Sequence, residues 1–320
     1  MSLTPEELAA RRERIGASDV AAIMGVPTFS GVNAWTVWNE KTDQLVERRS
    51  TQEMDAGNRL EPYILDWAET SLGELARNVV VHDPDGARIA STLDGQVVAD
   101  GTPIEAKTSG IFGPIHGEWG EAGGDEVPDG YMLQCQTQLL CTKAEVCRLF
   151  ALLGTRGRVE YEIHPEPRLI AKIRDVSEDF YANFVVTKVD PREGWGDRLE
   201  QAHGIKLTAD PCAPVLAVAK RLRRETGKVI ELQDSQLVDK WEGFRKARLD
   251  AQKAEDATLA AVLAEIGNAD TATLPDGREF RYAEQKGADL IDRKAMKAAG
   301  VYERYATPNR VRVARIKGRK

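Results

Sequence analysis

Asp94, Glu105 and Lys107 stand as D-x10-E-x-K within the stretch STLDGQVVADGTPIEAKTSG, residues 91–110. The stretch reads as two short strands, 90–98 and 104–108, split by the breakers Asp100-Gly101-Thr102-Pro103. Side chains alternate along a strand, so Ile104, Ala106 and Thr108 point one way while Glu105 and Lys107 share the other face. An antiparallel return brings Asp94 toward Glu105, and two carboxylates and an ammonium converge. Two carboxylates with a carbonyl between them suit a hard divalent cation that takes oxygen ligands, such as Mg²⁺. A metal there polarises a phosphoryl oxygen, and a neighbouring lysine helps to deprotonate or orient an attacking water, which is the chemistry of phosphodiester hydrolysis. The plainer reading is a solvated salt bridge on a hairpin, and three residues alone do not exclude it.

Asp94 followed after a turn by Ile104-Glu105-Ala106-Lys107 resembles the PD-(D/E)XK nuclease core, and the surrounding segments resemble one branch of it, the lambda exonuclease or YqaJ-type phage recombinase family. Arg11 and Ser18, in RRERIGASD, resemble the family's R-x6-S signature; Gly57 to Glu61, in GNRLEP, resembles its G-x-x-x-E helix. Tyr131 and Gln134, in YMLQCQ with Pro128 just before, resemble its Y-x-x-Q helix. The resemblance spans roughly residues 8 to 150, with its motifs in order. It implies that Asp94, Glu105, the Ala106 carbonyl and Glu61 hold Mg²⁺, with Mn²⁺ able to substitute. It further implies that Lys107 activates water, that Tyr131 and Gln134 position it, and that Arg11 and Ser18 hold a 5′ phosphate. Without the family, Arg11 reads as a basic helix end and Glu61 as a surface glutamate. There are departures: Glu7 stands where the family has a tryptophan, Leu93 occupies the "P" position, and Thr92 stands where serine is common.

The elements that must carry these residues follow from pattern. A helix over residues 4–14, capped by Thr4 with Pro5 at its first position, ends on Arg11, Arg12 and Arg14. Short helices follow from Asp19 and over 34–40, the latter with Trp35 and Trp38 directed at the core. A longer helix over 52–72 carries Leu60, Ile64 and Trp67 on one stripe, and Pro62 is expected to kink or restart it. A strand over 79–81 precedes the two site strands. The glycine-rich run 112–130 lacks a phosphate-cradle pattern and reads as a loop over the site, with His116 and Trp119 as candidates to touch DNA. A helix over 131–142, strands over 148–153 and 158–164, and a closing helix over 175–189 complete the expected core.

Pro211 and Pro214 mark a composition shift, giving an expected nuclease core over 1–210 and an extension over 211–320. The extension reads as an Arg-rich helix, a long helix over about 235–266, a hairpin around Pro275-Asp276-Gly277, a helix over 290–299 and a basic tail with alternating arginines. That tail fits a DNA clamp or assembly surface as well as it fits a charged edge strand. The expected fold class is α/β: a restriction-endonuclease-like mixed sheet flanked by helices, with a C-terminal helical and β-hairpin extension.

The chain has 320 residues, 42% of them hydrophobic and 30% charged, as in a soluble globular protein. The sequence shows neither a membrane-length apolar run nor a signal peptide, so a cytoplasmic protein of phage or prophage origin is expected. Cys135, Cys141, Cys147 and Cys212 form no CxxC pair, which argues against zinc or iron–sulfur ligation and for buried small apolar side chains. The net charge is −7, yet the last twenty residues hold seven Lys or Arg against one acid, +6, which leaves −13 for the rest. Charge is segregated along the chain.

The resemblance implies a Mg²⁺-dependent 5′-to-3′ exonuclease on double-stranded DNA ends, leaving 3′ single strands for a phage single-strand annealing protein. It also implies a ring-shaped trimer for the short members of the family. Two rivals are an endonuclease on the same core and a non-catalytic DNA-binding recombination scaffold.

Overall fold

The computed structural model describes residues 5–26, 32–45, 52–111, 115, 118–214, 216–222, 228–232 and 234–282. Thr4, His116, the helix expected over 290–299 and the basic tail lie outside the described residues. Two compact units divide the chain, Met1–Arg224 and Glu225–Lys320.

The first unit is built on a mixed sheet of six strands: β1 (Ile15–Gly16), β2 (Leu75–His82), β3 (Ile89–Val97), β4 (Pro103–Ser109), β5 (Cys147–Leu153) and β6 (Gly157–Ile163). β2 pairs antiparallel along the length of β3, from Leu75↔Val97 to His82↔Ala90. The other edge of β3 is therefore shared: β1 takes its start in parallel, at Ile89 and Ala90, and β4 takes its end antiparallel, at Gly95↔Ile104 and Gln96↔Pro103. Between those two pairings the edge of β3 is open, and Asp94 sits on it. β4 then pairs parallel with β5, and β5 antiparallel with β6.

Alternation along the strands assigns the two faces. On one, α4 (Gln52–Leu72) lays Ile64, Leu65 and Ala68 against Leu75, Val97, Ile104 and Phe150. The other carries α5 (Asp129–Thr142), whose Cys135 and Leu139 meet Cys147, Leu149, Ala151, Tyr161 and Ile163. Gly95 has no side chain for a packing reason, because a Cβ there would stand 3.3 Å from both Ile104 and Leu65. Beyond α5 lie α1 (Pro5–Arg12), α2 (Ala17–Ile23), α3 (Ala34–Lys41), α6 (Pro167–Phe180) and α7 (Trp195–Gln201). Ile15, Ile23, Val37, Ile173, Phe180 and Trp195 are at the centre of that cluster, and the Trp195 ring N–H donates to the Ile23 carbonyl at 2.8 Å. Residues 211–214 and 216–222 belong to this unit: Cys212 and Val218, the latter on the one-turn α8 (Leu216–Ala219), join the same cluster. All four cysteines are free and buried.

Three expectations are corrected. The fresh start allowed at Pro62 does not occur, since α4 continues through it with the loss of one backbone bond. The closing helix starts at Pro167, eight residues before the expected Asp175, because Glu166 caps it by accepting from the Arg168 and Leu169 amides with proline at the first position. It ends in a π-helical turn, Tyr181–Val185. The basic N-terminal helix stops at Arg12, since Ile15 is drawn into the sheet beside Ile89.

The second unit consists, in its described part, of α9 (Gln236–Ile266) and a hairpin of β7 (Thr271–Thr273) and β8 (Glu279–Arg281) around Pro275-Asp276-Gly277. Among the described residues, no helix is long and apolar enough to cross a membrane.

Candidate active site

The β3–β4 register sets Asp94 one step beyond the last paired residues, opposite Glu105. There the strands part, and an Asp94 oxygen accepts the Ala106 backbone N–H at 2.8 Å in place of a ladder bond. The N–H and C=O of one strand residue point to the same edge, so the Ala106 carbonyl also faces the opening beside Asp94.

Glu105 and Lys107 share the α5 face, whereas Ile104 and Ala106 join the α4 cluster. Glu105 is fully buried. A carboxylate in that position needs partners, and it has three: the Lys107 ammonium, the Gln134 amide at 2.6 Å and the Gln138 amide. Burial first, and then the nearby Asp94 charge, raise the Glu105 carboxyl to about 7, against the opposing pull of Lys107. Lys107 moves above its ordinary value because the attraction of Glu105 and Asp94 outweighs its own desolvation. Its Nζ also lies 5.3 Å from the centre of the Tyr131 ring. The Tyr131 hydroxyl is raised as well, chiefly by burial, and so stays a neutral donor.

Glu61 is half-buried on α4, on the other face of the sheet. Desolvation and then the Asp94 charge raise its carboxyl, with Lys107 opposing. Glu61 and Glu105 thus each feel the Asp94 charge and the same lysine, a field that a cation would relieve. As the side chains stand, however, no group of three His, Cys, Asp or Glu among the described residues gathers closely enough to hold a metal.

Arg11 and Ser18, both exposed, line a cleft of about 960 Å³ together with Tyr131 and Gln134. Arg11 ends α1 and Ser18 lies in the first turn of α2; the buried pair Lys41–Asp19 (2.6 Å) joins them, since Lys41 also donates to the Arg11 carbonyl and Asp19 accepts the Gly16 amide. Trp119 is in the same cleft, its ring 5.5 Å from those of Tyr131 and Tyr161. The charged residues of the described lining are mostly acidic, with Asp19, Glu40, Glu118, Glu126 and Asp129 against the single cation Arg11. Burial and Asp19 raise the Glu40 carboxyl.

Gln138 is the functional residue that pattern reading missed. It lies one helical turn beyond Gln134, fully buried, and its carbonyl oxygen accepts the Cys147 thiol at 3.2 Å while its amide serves Glu105. The four-residue spacing of Gln134 and Gln138 was its only signal in the sequence.

A mixed sheet whose opened strand pair delivers Asp94, Glu105 and Lys107, with an amide-bearing helix across them, resembles the core of PD-(D/E)XK nucleases. Residues 8–145 match the YqaJ-like viral recombinase domain. That match covers the stretch whose motifs resemble the lambda exonuclease and YqaJ-type recombinase family, and it supports a deoxyribonuclease. Two crystal structures of the alkaline exonuclease LHK-Exo from Laribacter hongkongensis, one in complex with dAMP, are each similar at 20% identity and a TM-score of 0.45, covering 61% of this chain and 100% of that one. A phage-related exonuclease from Haemophilus somnus 129PT is similar at 14% identity and a TM-score of 0.40, over 55% of this chain and 96% of that one. No curated protein matches the chain.

Proposed function

We propose that this protein is a Mg²⁺-dependent 5′-to-3′ exonuclease that degrades one strand of double-stranded DNA from its end and leaves 3′ single strands for a single-strand annealing protein. The observation that carries this reading is the sharing of one cleft by Arg11 and Ser18 with Tyr131 and Gln134, the last of which is bound to Glu105. In this reading Arg11 and Ser18 hold the strand end while Gln134 connects the cleft to Glu105.

The donor set suits a hard divalent ion: Asp94, Glu105 and Glu61 offer carboxylate oxygens, burial and then the Asp94 charge raise the two glutamates, and the Ala106 carbonyl points into the same opening. Glu105 would have to release Lys107 or a glutamine amide to ligate. Bound there, the ion would polarise the scissile phosphoryl group and acidify a water. Lys107, kept protonated by its two acidic neighbours, donates to the developing phosphoryl charge and orients water. Gln134 and the neutral Tyr131 hydroxyl supply further donors on the same side. Arg11 offers a planar fork to a terminal phosphate and Ser18 a hydroxyl. Because the described rim is acidic, strand entry depends on Arg11 and on divalent cations screening the carboxylates.

In this reading the nuclease core, expected over 1–210, extends through the first unit to Arg224, and the second unit serves clamping or assembly, within the cytoplasm of a bacterial host. The test is digestion in Mg²⁺ of linear duplex with and without a 5′ phosphate, beside a covalently closed circle. Loss of the preference for phosphorylated ends in Arg11→Ala, with the circle intact throughout, supports the reading. A cut circle overturns end dependence, and no cleavage under any divalent metal favours a scaffold.

A further inference from the structure

None of the residues of α9 is buried, although the helix is 31 residues long. Leu237, Trp241, Phe244, Leu259, Val262 and Ile266 fall on one stripe of it, with Arg248 and Glu255 between the two apolar groups. Leu237 is 60% and Phe244 76% exposed. The steps along the stripe are four, three, four, seven, four, three and four residues, the same read from either end. Reversal about the midpoint between Ala251 and Gln252 carries Leu237 onto Ile266, Trp241 onto Val262, Phe244 onto Leu259 and Arg248 onto Glu255. An apolar stripe of this length on a solvated helix calls for a partner, and this one is complementary to its own reverse.

We propose that α9 pairs with α9 of a second copy of the chain as an antiparallel, two-fold symmetric helix pair. Each apolar residue then faces an apolar residue of the other copy along about 44 Å, at 1.5 Å per residue. Arg248 faces the partner's Glu255, and symmetry repeats the pair. A parallel arrangement would set Arg248 against Arg248 and Glu255 against Glu255, so the charges select the antiparallel one. Opposed helix dipoles favour the same choice. This inference does not rest on the proposed nuclease reaction.

The test is the mass of the full chain by sedimentation equilibrium, for the natural sequence, Arg248→Glu, Glu255→Arg and the double exchange, with helix content followed by circular dichroism. The proposal expects an even multiple of the chain mass. It expects each single exchange to weaken association roughly tenfold or more, and the double exchange to restore it, at unchanged helix content. Oxidation of an equimolar mixture of Phe244→Cys and Leu259→Cys proteins should join one to the other, and neither to itself. A monomer, an odd multiple, single exchanges that leave the mass unaltered, a double exchange that fails to restore it, or self-joining of Phe244→Cys would each overturn the pairing. A face covered by another part of the same chain would give the unaltered monomer.

Discussion

Glu105 is where the residue-scale argument is most exposed to test. Its carboxyl, raised to about 7, holds a proton in the folded protein that the unfolded chain has released above about pH 4.5. The folded state therefore binds more protons in that window, and the stability of the metal-free protein should fall as pH rises from about 4.5 to 7. Glu105→Gln cannot ionise, although its amide N–H must face one of the neighbouring donors, so chemical denaturation across the same range should show a flatter profile. The same variant should be inactive. A wild-type profile that rises with pH would remove the account of this carboxyl. Lys107→Ala should lower strand cleavage by about 10²–10⁴-fold with folding retained, measured by single-turnover digestion beside a melting curve. Activity within a few-fold of normal would mean that the lysine serves structure alone.

At the scale of elements, the turn between β2 and β3 fastens α6 to the sheet. Asp83 is buried, accepts the Asp85 and Ala87 amides, and takes the Arg174 guanidinium at 3.0 and 3.1 Å; Arg174 and Lys143 then share Asp85. Arg174→Ala should cost about 2 kcal/mol in urea unfolding, since it strips a buried carboxylate of its counter-ion, while cleavage by the surviving folded protein is unchanged. A loss indistinguishable from zero would mean that the turn amides satisfy Asp83 by themselves. Much at this scale was legible in the sequence, because alternation and breakers are local. Ile104, Ala106, Glu105 and Lys107 divide between faces as the strand period requires, and the bounds of α4 are those its apolar stripe sets. What escaped depends on partners distant in the chain: the two-residue β1, which exists because Ile15 meets Ile89; α7, anchored through Trp195; and the Asp94 side chain replacing a ladder bond, which only the parting of β3 and β4 makes necessary. Gln138 escaped because its four-residue spacing from Gln134 gains meaning only once a buried carboxylate is found opposite both.

The whole molecule joins an acidic body to a function that must grip phosphate. With a net charge of −7 and an acidic cleft rim, it should depend on divalent cations for stability as well as for chemistry. Adding Mg²⁺ at pH 8 should raise the melting temperature of the catalytically silent Lys107→Ala protein and EDTA should reverse the rise, whereas Glu105→Gln should respond weakly. Equal responses would place the ion elsewhere. The most direct test of the central claim remains an end-dependence assay in Mg²⁺, with a 5′-phosphorylated linear duplex, its unphosphorylated twin and a covalently closed circle given to the same enzyme. The account predicts that the phosphorylated linear strand is degraded first, that Arg11→Ala erases the difference between the two linear forms, and that the circle survives. Degradation of the circle, or equal rates on both linear forms by the natural enzyme, would contradict it.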